Sequence, residues 1–148
     1  MNSQFVKGSF AVLAGMALIY LGDMALGVNI EIYRGIATFT FPWVIDVFLV
    51  PFIAGVVVSL IYGRHGKWLA CLPPLFVRTI SFAQLTFFDD SYEYVDLFFR
   101  IPLAYWGLCL ILVVESANFG GIIGEIMKGV YRLPGRKRKE SPMNVTPE

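Results

Sequence analysis

The sequence predicts an all-α integral membrane protein, four transmembrane helices in an antiparallel bundle with both termini cytoplasmic. Three observations carry this. Of the 148 residues 57% are hydrophobic and only 16% charged, against about 25% charged in an ordinary soluble domain. Apolar runs recur at about 5–28, 42–62, 68–88 and 101–126, each near the roughly 20 residues that cross a hydrocarbon core of about 30 Å. Finally, the segments between the runs alternate in the sign of their charge, which fixes an orientation.

The first run opens beside Lys7 and carries Gly8, Ala11, Gly15, Leu18, Gly22 and Ala25 at a three-then-four spacing. That spacing lines them along one smooth helix face. Lys7, the apolar stretch and Ala25-Leu26-Gly27 also mimic a secretory signal peptide. The length of the run favours a retained first span. Between runs one and two, residues 29–41 alternate loosely in polarity and predict a short outer hairpin or an interfacial segment.

Pro42 is placed to open the second span, since proline fits the first helical turn. Pro51 within it, and Pro73-Pro74 within the third, each remove a backbone donor and predict a kink or local opening. The carbonyls so freed need partners from neighbouring helices, hydroxyls or water. Gly55, Ser59 and Gly63 form a second small-residue seam, and Ser116, Gly120 and Gly124 form a third in span four. Such seams replace the hydrophobic drive that helices lack in lipid. The seams either pack the chain's own four helices or, since a bundle closes without using every seam, leave a spare one as an interface for a partner helix. Trp43, Trp68, Tyr62, Tyr105, Trp106 and Tyr131 lie near the run ends, where aromatic anchors sit.

Orientation follows from Lys and Arg. Lys7, Arg64, Lys67, Lys128, Arg132 and the run Arg136, Lys137, Arg138, Lys139 fall on one side, with Glu125, Glu140 and Glu148. Opposite them lie Glu31, Asp89, Asp90, Glu93 and Asp96, with Arg34 and Arg100. The basic side is the cytoplasmic one. Residues 1–134 then form one membrane domain and 135–148 a disordered basic tail, whose Arg136–Lys139 run meets anionic headgroups. Nucleic acid is not an expected partner, because the run is short and abuts a span.

Ionisable groups inside the spans are the candidate functional residues, since each costs about 2.5 kcal/mol or more at mid-membrane unless it faces a partner or water. Counting about 1.5 Å per residue from the basic side sets Arg78 and Glu115 at one level and predicts an ion pair between them. The same count gathers Asp23, Asp46 and Gln84 in a second layer near the outer face. There two carboxylates and an amide either hydrogen-bond one another or lie wet at helix ends.

Catalytic motifs are lacking. His65 is the single histidine, which excludes a metal site built on several imidazoles and leaves one weak base for a Ser-His-Asp triad. Cys71 and Cys109 differ too much in depth for a disulfide. No metal and no cofactor is expected. An enzyme working through Asp46 or Glu115 alone is conceivable. The leading expectation is a non-catalytic subunit or accessory factor of a membrane complex, with other membrane subunits or copies of itself as partners, in a bacterial inner membrane. The alternative is a small oligomeric ion- or proton-coupled transporter or channel lined by Glu115, Arg78 and Asp46.

Overall fold

The structure, a computed structural model, describes residues 3–87 and 103–130. The acidic residues Asp89, Asp90, Glu93 and Asp96, Tyr131 and the tail with Arg136, Lys137, Arg138 and Lys139 lie outside the described residues. Within these, every regular element is a helix, and four are long and apolar enough to cross a membrane. They are α1 (Ser3–Leu26), α2 (Phe41–Tyr62), α3 (Gly66–Phe87) and α4 (Leu103–Met127).

Helix α1 is apolar nearly all round. It buries Gly8, Ala11, Gly15 and Ile19, while Phe5, Phe10, Leu13, Tyr20, Leu21 and Met24 point outward. Helix α2 starts at Thr40, whose side chain accepts from the Trp43 N–H at 3.4 Å, with Pro42 in the first turn. Ahead of Pro51 the backbone widens into a π-helical turn over Ile45–Leu49, which absorbs the missing proline donor without ending the helix. The Ser116 hydroxyl donates across to the Phe48 carbonyl within that turn. In α3 the helix breaks at Cys71, just before Pro73-Pro74, and the thiol donates back to the Lys67 carbonyl at 3.6 Å. Both proline expectations are thus met by local backbone changes. Cys71 and Cys109 are free thiols.

Helices α2 and α3 pack on each other at the Gly66–Ala70 end of α3, and each packs on both α1 and α4. The glycines of all three small-residue seams lie at helix contacts or half-buried, whereas Ala25, at the end of the first seam, is exposed. A methyl group at Gly15 would come within 2.8 Å of Val58 and Pro73, and one at Gly22 within 2.6 Å of Val50. Gly8 lies in ordinary contact with Tyr62 and Leu69. The closest approach joins the second and third seams. A Cβ on Gly55 would strike the Ala117 carbonyl, and one on Gly120 the Phe52 carbonyl. Gly124 and Gly66 both press on Ser59, and Gly63, at φ 92°, passes the Lys128 side chain. At these positions the seams pack the chain's own helices against one another.

Residues 27–40 form neither a hairpin nor a strand. They run through successive turns and cover one end of the bundle, burying Ile30, Glu31 and Ile32. Ile30 joins Trp43, Val47, Cys109 and Val113 in a core beneath this cover. Trp43 is consequently not an outward anchor: it is 4% exposed and donates through Nε1 to the Tyr105 hydroxyl at 3.1 Å. Trp68, at the other end, is 70% exposed as an interfacial ring should be.

Candidate functional site

The polar centre of the bundle is Arg78. It projects from α3 with only 2% of its surface exposed, and a buried guanidinium requires acidic partners. Three carboxylates from three successive parts of the chain supply them. Asp23, three residues before the end of α1, takes both terminal nitrogens bidentately, Nη2 to Oδ1 at 2.7 Å and Nη1 to Oδ2 at 2.9 Å. Glu31 of the covering loop accepts from Nη1 at 3.3 Å. Asp46 of α2 lies 3.6 Å from Nη2.

The expected Arg78–Glu115 ion pair is not formed. Depth counting gave the level of Glu115 but not its direction around α4. Its helix buries Cys109, Val113, Ala117, Gly120, Gly121 and Gly124, and Glu115 points the other way, exposed. Asp23 and Asp46 do share a layer, as expected. Gln84 does not join it and is exposed. Arg78 bridges the two levels because its three methylenes carry the charge well away from its own Cα. Asp46 is fully buried, so the wet helix-end reading of this residue does not hold.

Glu31 is the residue that sequence reasoning missed, having been counted simply as a loop charge. Its only signal is the pattern Ile30-Glu31-Ile32, apolar on both sides, which marks a segment that turns inward. Burial pushes the Glu31 carboxyl above the usual carboxylate range, although the Arg78 guanidinium pulls it down. The folded protein therefore holds this proton more tightly than the unfolded chain does. Its contribution to stability falls as pH rises from the unfolded value of 4.5 through the raised folded value. Glu31→Gln, which keeps an acceptor for Arg78, is expected to flatten that slope. Thermal unfolding in detergent between about pH 4 and 8 checks it, an unchanged slope counting against the assignment.

The cluster is incompletely satisfied. Both carboxylate oxygens of Asp46 and Nε of Arg78 are buried without a hydrogen-bond partner among the described residues. A crevice beside the cluster, bounded by Ile30, Glu31, Arg78, Trp106, Cys109 and Leu110, has no room for a water molecule. Among the described residues no group of His, Cys, Asp and Glu is arranged to hold a metal ion. The arrangement is an enclosed charge network, with one guanidinium set against three carboxylates.

At the opposite end of the bundle lies a second polar region. Glu125 is 1% exposed, and its Oε1 accepts from the Lys67 backbone N–H at 3.1 Å, tying the first turn of α3 to α4. Lys128 donates to the Leu60 carbonyl at 2.6 Å and the Ile61 carbonyl at 3.3 Å, closing the C-terminus of α2. Sequence reading placed both merely as orienting charges. No family model matches the chain, and no curated protein or solved structure is similar to it.

Proposed function

We propose that this protein is an integral membrane protein with antiparallel spans, both termini and the 63–66 turn cytoplasmic, and that it works as a non-catalytic subunit of a membrane complex. A bacterial inner membrane is the compartment assigned to it. The positive-inside distribution of Lys and Arg supports the orientation. The inward-facing glycines of α1 and the Asp23–Arg78 pair support a retained first span.

The observation that carries the subunit reading is Glu115. It stands midway along α4, between residues 103–114 and 116–127, about 18 Å from either helix end. It is exposed, and Leu108, Ile111, Phe119 and Ile123 on the same helix are exposed as well. In a bilayer this sets a carboxylate against hydrocarbon, at a cost of about 2.5 kcal/mol or more. A helix of another subunit that offers a hydrogen-bond donor or a cationic side chain at that depth removes the cost. Such contacts are worth about 1–2 kcal/mol in membranes. The crevice beside the Arg78 cluster has no room for water, which favours the subunit reading over the transporter alternative.

A photo-crosslinking amino acid at position 119, in membranes of the native host, is expected to give a protein adduct. Glu115→Leu should weaken that adduct about tenfold. Adducts with lipid alone would overturn the reading. Ion flux in liposomes that Glu115→Gln abolishes would establish the transporter instead.

A further inference from the structure

The end of the bundle opposite the Arg78 cluster holds a cavity of about 810 Å³, lined by Gly63, Arg64, His65, Lys67, Trp68, Glu125, Lys128, Gly129 and Val130. Its charge is mainly positive, with Arg64, Lys67 and Lys128 set against the single carboxylate of Glu125. Glu125 is engaged by the Lys67 backbone, and Lys128 by the end of α2. Arg64 and His65 stand exposed on the turn, while the Lys67 ammonium lies 5.8 Å from the centre of the Trp68 ring.

The turn that presents these groups is fixed. Gly63 and His65 both take positive φ, 92° and 70°, and the Gly66 N–H donates to the Gly63 carbonyl at 2.9 Å. Such a turn holds Arg64 and His65 side by side at the mouth of the cavity. The chain that leaves the cavity at Val130 continues with Arg132, Arg136, Lys137, Arg138 and Lys139, so the sequence next to the cavity adds positive charge and does not neutralise it.

We propose that this cavity binds the phosphate group of an anionic phospholipid headgroup, with Arg64 and Lys67 as its cationic ligands and Trp68 as the ring at headgroup depth. The proposal rests on the membrane reading above, which sets this end of the bundle at the cytoplasmic leaflet. Guanidinium and ammonium groups are the side chains that take phosphate oxygens. Trp at the boundary places the site at the level where phosphates lie. The cavity is far larger than one water molecule, which occupies about 30 Å³, and accommodates a headgroup.

The experiment uses the full chain in nanodiscs of phosphatidylcholine with a minor fraction of phosphatidylglycerol, and native mass spectrometry counts the lipids retained. Preference for phosphatidylglycerol is expected to fall about 30-fold in Arg64→Gln/Lys67→Gln, a roughly fivefold loss for each cation removed. Arg136→Gln/Lys137→Gln/Arg138→Gln/Lys139→Gln serves as the matched control. Loss in that control with retention in the double variant would overturn the proposal. So would displacement of the lipid by millimolar inorganic phosphate, which would assign the site to soluble phosphate. Alkaline extraction of membranes from the native host tests the membrane reading separately: protein released into the wash fails that reading, whatever the lipid count.

Discussion

Arg78→Met is expected to destabilise the folded protein by about 3–5 kcal/mol, because it strands buried carboxylates without a counter-charge. Asp23, Glu31 and Asp46 would then share a core that the guanidinium alone makes tolerable. The effects of the three acids should differ. Asp23 makes two short bonds to Arg78, so Asp23→Asn weakens a charge-assisted pair and costs about 1.5–3 kcal/mol. Asp46 is the furthest from the guanidinium and its oxygens lack hydrogen bonds. Asp46→Asn removes surplus negative charge at little loss and is expected to be neutral or stabilising. Equilibrium unfolding in mixed micelles reads all three. A loss under about 1 kcal/mol in Arg78→Met would reduce the cluster to the value of an exposed ion pair.

Gly120→Ala and Gly55→Ala are expected to cost about 1–3 kcal/mol each, the usual penalty for forcing extra volume into a closed contact. The obstacle at both sites is a backbone carbonyl, of Phe52 and Ala117 respectively. Carbonyls of a helix cannot rotate away as a side chain can, so α2 and α4 must separate. Gly107 on α4 is the internal control, because a Cβ there meets nothing within 4 Å. Alanine at that position should be neutral or gain up to about 1 kcal/mol from helix propensity. Similar losses at positions 107 and 120 would show that propensity, not the close crossing, governs the helix.

Much of the fold was legible because membrane spans are read from length and polarity alone. The apolar runs and the observed helices agree to within a few residues at each end. Prolines were equally readable, since their effect is local: Pro51 and Pro73-Pro74 each sit beside a backbone irregularity. Direction around a helix axis was the weak point. Arg78 and Glu115 were paired on depth, and rotation about α4 turned Glu115 outward. Glu31 failed for a different reason, since no periodicity tells whether a loop lies over a bundle or stands away from it. The small-residue spacing marks faces where helices can approach closely, but which helix each face meets depends on the arrangement of all four. Trp43 and Tyr105 likewise matched the composition of an interfacial belt, while their hydrogen bond to each other belongs to the interior.

The order in which the chain supplies the Arg78 cluster bears on biogenesis. Residues 23, 31 and 46 leave the ribosome before residue 78, so in the membrane reading the N-terminal helix pair arrives at the insertion machinery with its acidic groups but without Arg78, the cation they surround in the folded protein. That pair cannot settle in the bilayer as a finished unit. It must stay beside the translocon, near water, until the third span enters and delivers its guanidinium. Translation stalled once the second span has emerged from the ribosome but the third has not should therefore leave a nascent chain that crosslinks to the insertion machinery, and stalling after the third span has emerged should release it.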